Sequence, residues 1–248
     1  MDATVLLLHG LGATGAVWNS VRQELEQRGV GRCIAPDLSG HGGSPWRDHY
    51  SVGQLAAETS EFVRGSQQLF VIGHSLGAFV GLALASGWFG VTVDGVLGVG
   101  PKTNWTAAEL ESSRQLASRP VKYFASEADA WARYRKASGL SIEIAAEPGC
   151  LSRGIVKVND GWRLSQDPRT FGVAGAPFST LATAASCRVV LARGEHDQMV
   201  SSQDLSKYGS TVEVITGAGH NTHVEKPGAI VTLLEQLIAS CPRPSQHR

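Results

Sequence analysis

The run Leu69-Phe70-Val71-Ile72 passes directly into Gly73-His74-Ser75-Leu76-Gly77, and residues 78–86 carry no charge. Few backbones accommodate that order. It reads as a buried strand turning sharply into a buried helix. The turn needs small residues two positions either side of the serine, where a Cβ would meet the opposing backbone. Ser75 then stands at the tip, above a helix N-terminus whose unpaired N–H groups, Leu76 first, favour negative charge. This suits a nucleophile whose reaction generates an oxyanion. The chain holds 29 glycines, so a chance glycine-rich turn is the competing reading, and the rest of the chain must decide.

The flanking sequence alternates strand and helix patterns. Residues 4–8 form an apolar run that ends in His9-Gly10-Leu11-Gly12. Val17, Val21 and Leu25 recur at helical spacing among charged residues, and Gly29 stops that helix. Residues 32–35 lead into a loop containing Pro36-Asp37 and Gly40-His41-Gly42. Ser51 with Gln54 predicts a capping box for a second helix. After the Ser75 turn, residues 93–100 read as another apolar strand. Strands resume at 187–192 and 211–215, and Pro227 opens a final amphipathic helix. This alternation predicts an α/β fold with a mostly parallel sheet of about six strands covered by helices on both faces.

Residues 102–186 break the pattern. Thr106 with Glu109 and Ser126 with Asp129 predict two capped helices. Residues 155–158 and 162–164 predict a short hairpin around Asn159-Asp160-Gly161. The expected organisation is a core of residues 1–101 and 187–241, a mainly helical lid over 102–186, and a frayed polar tail over 242–248.

Serine is a poor nucleophile and needs a base, which in turn needs a partner to fix its tautomer. In an open parallel sheet these groups collect on loops after strand C-termini. His220 follows the last strand, in Gly217-Ala218-Gly219-His220, and Asp197 follows the strand before it, in Gly194-Glu195-His196-Asp197. Glu195 and His196 flank that acid as solvent-facing or loop-bracing residues. His223 is the competing base, farther from the strand end.

The order Ser75, Asp197, His220, together with the Gly-x-Ser-x-Gly turn, resembles the α/β-hydrolases. Also shared are His9-Gly10, the Pro36-Asp37 to Gly42 loop with Ser44 nearby, and Gly219-His220 followed by Glu225 and Pro227. The resemblance implies a catalytic triad of Ser75, Asp197 and His220. It adds an oxyanion hole from the backbone N–H groups of Leu11 and Leu76. It implies that Asp37 ties down the Gly-His-Gly loop and that His9, His41 and His74 are supporting residues. Asn104 stands where a minority of relatives carry their acid. Relatives usually begin with an antiparallel strand pair, for which residues 1–3 leave no room, so a six-strand order of 4-3-5-6-7-8 in family terms is expected.

A serine at the turn sets the chain apart from relatives that open epoxides or remove halogens with aspartate, and points to acyl chemistry. The expected function is hydrolysis of a carboxylic ester, thioester or lactone of a small hydrophobic substrate through a Ser75 acyl-enzyme. Carbon–carbon bond hydrolysis, acyl transfer, perhydrolysis, cofactor-free oxygenation and a hydrolase-like receptor are the alternatives. Trp105, Phe124 and Trp131 are the candidate substrate-binding residues among the aromatics of 102–186, which either line an apolar pocket or form that segment's own core. Arg133, Arg135 and Lys136 either bind a substrate carboxylate or make a solvated helix face. No metal or organic cofactor is expected. Lys+Arg and Asp+Glu number 22 each, which gives no basic excess for nucleic acid or anionic membrane. Four cysteines without metal spacing, and no apolar run of membrane length, fit a cytoplasmic monomer or homodimer.

Overall fold

The computed structural model describes residues 3–140, 148–159, 161–208 and 211–241. The expected tail over 242–248 and Asp160 of the expected hairpin turn lie outside the described residues. In chain order the strands are β1 (Thr4–Leu8), β2 (Arg32–Ile34), β3 (Leu69–His74), β4 (Gly95–Val99), β5 (Tyr123–Phe124), β6 (Ile155–Val158), β7 (Gly161–Leu164), β8 (Arg188–Gly194) and β9 (Thr211–Ile215). The helices are α1 (Asn19–Gln27), α2 (Val52–Ser60), α3 (Leu76–Ala85), α4 (Ala107–Ala117), α5 (Glu127–Ser138), α6 (Phe178–Ala184), α7 (Ser202–Ser206), α8 (Thr222–Glu225) and α9 (Pro227–Ser240).

Six strands form one parallel sheet in the order β2-β1-β3-β4-β8-β9. This is the order the resemblance implies. Because side chains alternate along a strand, the continuous apolar runs feed two cores at once. Val5, Leu7, Phe70 and Ile72 pack on one face with Val21 and Leu25 of α1 and Ile230 and Leu234 of α9. Leu6, Leu8, Leu69 and Val71 pack on the other with Leu55 of α2 and Val80 and Leu84 of α3. All ten residues of α3 are buried, which explains a helix with no polar face. Each fully buried Leu or Val contributes about 1.5–3 kcal/mol of transfer free energy.

Helix starts follow the sequence signals, with one difference. Thr106 and Glu109 make the full reciprocal capping box. At α2, Ser51 accepts from the Gln54 N–H, but the Gln54 side chain bonds Glu58 instead of returning to the cap. The span 102–186 also carries more strand than a mainly helical reading implies. The hairpin β6–β7 forms as expected, with Val158 opposite Gly161, and Tyr123–Phe124 adds a third antiparallel strand against β7. Two residues are too few to show a period, and only pairing with Trp162 and Arg163 makes them a strand. Helix α6 packs back on α3, where Phe178 meets Phe79 edge-on with ring centroids 5.0 Å apart.

Candidate active site

Ser75 joins β3 to α3 with φ 50° and ψ −113°, a left-handed conformation that costs a non-glycine residue about 1–3 kcal/mol. Packing enforces it. Any Cβ on Gly73 would collide with the backbone of Gly77, and one on Gly77 with the carbonyl of Leu8 in the adjacent strand. The Ser75 N–H donates to the Val99 carbonyl at 2.8 Å, and the Ser75 carbonyl accepts from Ala78 at 3.0 Å. The turn is thus tied to β4 below and to the helix above. The side chain is left at the helix N-terminus, where positive partial charge concentrates.

The loops after β8 and β9 bring the other two residues together. His220 Nδ1 donates to Asp197 Oδ2 at 2.9 Å. An ionised carboxylate only accepts, so this bond puts the imidazole proton on Nδ1 and leaves Nε2 as the lone-pair nitrogen. Asp197 Oδ1 accepts the Met199 N–H at 2.8 Å, so each carboxylate oxygen has a partner. Its side chain is 0% exposed, whereas that of His220 is 22% exposed. Ser75 and His220 line one cavity of about 350 Å³. No hydrogen bond joins them among the described residues. In an unliganded site such contacts are commonly loose and tighten when substrate binds.

Around this pair, His9, His41, His74 and His223 are buried. His9 Nε2 accepts from the Leu38 N–H at 2.9 Å and its Nδ1 donates to the Gly10 carbonyl at 2.8 Å. His41 Nε2 accepts from the Gly12 N–H at 3.2 Å. Burial lowers the pKa of His9 and pushes that of His41 down to about 3, with the neighbouring His9 adding to the shift. These two rings therefore pin the loop that carries Leu11. His74 Nε2 donates to the His220 carbonyl at 3.0 Å, and burial lowers its pKa well below the ordinary value. His223 is 0% exposed, stacked between Trp18 and His74 at centroid distances of 4.5 and 4.3 Å. Burial drives it down to about 3. It reaches neither the cavity nor an acid.

Asp37 accepts from the Gly15 and Gly43 N–H groups at 2.7 and 2.8 Å, so it ties the Gly-His-Gly loop to the first loop. Glu195 Oε2 accepts from the Gly217 N–H at 2.8 Å and so braces the loops after β8 and β9 against each other. His196 is exposed. Leu11 and Leu76 both line the cavity that Ser75 lines.

Of the three aromatic candidates, Trp105 lines the Ser75 cavity with its Nε1–H fixed on the Lys102 carbonyl at 2.9 Å. Phe124 lines an adjoining chamber instead. Trp131 lines neither. Its ring packs edge-on against buried Tyr134 at 5.8 Å and its Nε1–H donates to Glu127 at 3.2 Å. Phe171, one of the aromatics of 102–186, also lines the Ser75 cavity, as do Phe79 and Met199, which the sequence did not single out for it. Asn221 was also missed. Its Nδ2 donates to the Gly139 carbonyl at 2.9 Å and anchors the His220 loop to the end of α5. The residue next to a catalytic candidate was the only available signal. Among the described residues, no group of three His, Cys, Asp or Glu side chains is placed to hold a metal ion. None of the described helices is long and apolar enough to cross a membrane.

A six-stranded parallel sheet with a strained serine after its third strand in sequence, and an Asp–His pair on the loops after its last two, defines the hydrolase architecture. The chain belongs to the alpha/beta hydrolase family, whose model matches residues 5–233. The esterase Rv0045c of Mycobacterium tuberculosis is 27% identical over 94% of this chain and 82% of that protein. Its solved structure superposes with a TM-score of 0.76 at 20% identity, covering 97% of this chain and 87% of that one. A thioesterase domain from the curacin biosynthetic pathway superposes with a TM-score of 0.75 at 22% identity, over 94% and 91% of the two chains. Some other curated relatives match over a shorter stretch. An uncharacterized M. tuberculosis protein, Rv2715, is 39% identical over 84 residues, which is 33% of this chain and 24% of that protein. The chain thus spans about a quarter of that relative's length.

Proposed function

We propose that this protein is a serine hydrolase of carboxylic esters, thioesters included, that works through an acyl-enzyme on Ser75. The observation that carries the reading is the Asp197–His220 hydrogen bond of 2.9 Å, with His220 in the wall of the cavity that Ser75 also lines. Ser75 Oγ attacks the substrate carbonyl while His220 Nε2 takes its proton. The oxyanion sits against the N–H groups of Leu76 and Leu11, which are rigid main-chain donors and need no reorganisation. The proton on His220 then passes to the departing alkoxide or thiolate. Water, deprotonated by the same nitrogen, releases the acid and regenerates Ser75. Asp197 holds the imidazole in the tautomer both half-reactions need. Residues 102–186 serve as the lid, with Trp105, Phe171 and Val173 giving the cavity its apolar walls. The relatedness to an esterase supports this chemistry.

Treatment with a fluorophosphonate at neutral pH, followed by intact-mass and peptide mapping, tests the reading directly. Stoichiometric labelling of Ser75, together with hydrolysis of p-nitrophenyl esters that is lost in Ser75→Ala, is the expected result. An unlabelled Ser75, or turnover that survives its replacement, removes the acyl-enzyme mechanism.

A further inference from the structure

Beside the Ser75 cavity lies a second chamber of about 470 Å³. Leu116, Lys136 and Phe171 stand in the walls of both. The two spaces differ in charge. In the Ser75 cavity, Lys102 is neutralised by Glu109 at 2.7 Å and lies 5.1 Å from the centre of the Trp105 ring, which leaves the shared Lys136 as the one unpaired lysine or arginine among its lining residues. The second chamber is walled by Arg119, Lys122, Arg133 and Lys136, with no acidic residue among those that line it.

None of these four cations is ion-paired among the described residues, although the chain as a whole carries equal numbers of acidic and basic residues. Some other cations of the same segment are paired, whereas Arg135, Lys157 and Arg163 have no ion pair among the described residues. Arg114 meets Glu111 at 2.9 Å, Arg153 meets Asp37 at 3.3 Å, and Arg169 meets Asp167 at 2.9 Å. Lys122 has a ring contact only, 5.1 Å from the centre of Phe124. Four like charges around one concave space repel one another and focus a positive potential into it. An anion entering there relieves that repulsion. Arginine's planar fork matches carboxylate and phosphate oxygens in pairs.

We propose that this chamber is a subsite for an anionic end group of the substrate, carboxylate or phosphate. The substrate would then be an ester whose apolar stretch runs from the Ser75 cavity past Leu116 and Phe171, with its charge beyond Lys136. This extends the serine-esterase reading by naming a substrate class, yet the binding itself does not require hydrolysis.

The test uses Ser75→Ala protein and three ligands of one chain length, namely octanol, octanoate and octyl phosphate, titrated by calorimetry. The expected result is that at least one anion binds about tenfold or more tightly than octanol. That preference should fade at about 1 M salt, where the Debye length is only about 3 Å. In Ser75→Ala protein that also carries Arg119→Gln and Arg133→Gln, the anion-to-octanol ratio should fall about tenfold, with octanol reporting any general damage to the fold. A tighter octyl phosphate identifies phosphate as the natural end group, and a tighter octanoate identifies carboxylate. Equal binding of all three ligands overturns the proposal. So does an anion preference that the arginine variant retains, since the anion would then sit at Ser75. Failure of fluorophosphonate labelling in the wild-type protein, by contrast, would remove the mechanism and leave this subsite standing.

Discussion

Replacing Asp197 by Asn separates the roles of shape and charge at the site. The carboxylate accepts two bonds, from His220 Nδ1 at 2.9 Å and from the Met199 N–H at 2.8 Å. An amide of the same shape can accept only one of them. If its oxygen stays on Met199, its NH₂ faces His220 Nδ1, and the imidazole must move its proton to Nε2, where it can no longer act as base. If the amide flips, its NH₂ opposes the Met199 N–H in a fully buried place. A buried donor without an acceptor costs about 1–3 kcal/mol. That penalty keeps the productive orientation at roughly one part in five to one part in 150, since 1.4 kcal/mol is tenfold. Loss of the negative charge that stabilises the imidazolium multiplies this deficit. The total expected for the replacement is about 10⁴-fold in kcat, as in triads generally, with KM changed little. The assay is steady-state hydrolysis of a p-nitrophenyl ester alongside a urea melt, so that lost activity is not confused with lost fold. A folded Asp197→Asn protein that keeps more than about a tenth of wild-type kcat would refute the assignment of Asp197 as His220's partner.

Three further outcomes follow from the same geometry. His220→Ala should abolish esterase activity at unchanged melting temperature, whereas His223→Ala should lower stability by about 2–5 kcal/mol, the range for large buried truncations, with kcat largely kept in the folded fraction. The reverse pattern in kinetics and denaturant melts would reassign the base. Gly77→Ala should destabilise by about 3 kcal/mol or more, because the added methyl meets the Leu8 backbone, which cannot move without its strand. A near-normal urea midpoint would contradict this close approach. Acid should also unfold the protein by proton uptake. His41 and His223 are held down to about 3 by burial against 6.5 unfolded, so their stability is fully present above pH 6.5 and is lost as pH falls toward 3. Each contributes a slope approaching about 1.4 kcal/mol per pH unit inside that window. Urea melts from pH 7 to pH 4 should show the slope, and a flat profile would mean these rings are not buried as neutral bases.

The sequence by itself determined the parts governed by short-range rules. The run from Leu69 to Gly77 reads as a strand, a tight turn and a buried helix, because glycine spacing and an uncharged helix favour that order, and the strand–helix alternation around it weighed against a chance glycine-rich turn. Continuous apolar strands separated by amphipathic helices dictated a parallel sheet covered on both faces. That His220 and Asp197 would come together was legible because a parallel sheet delivers every strand's C-terminal end to one edge. Tertiary structure alone decided the rest. His74, His220 and His223 fall within four residues of a strand end or of each other, yet only packing sent His223 inward onto Trp18 and left His220 facing Asp197. Residues 102–186 have no dominant apolar period, so nothing local could say that Trp105 would line the Ser75 cavity while Trp131 turned to Tyr134. Nor could it say that Arg119, Lys122, Arg133 and Lys136, drawn from separate turns of the chain, would surround one space. Side-chain direction in such a segment is set by what it packs against, and that partner is chosen only when the whole chain has folded.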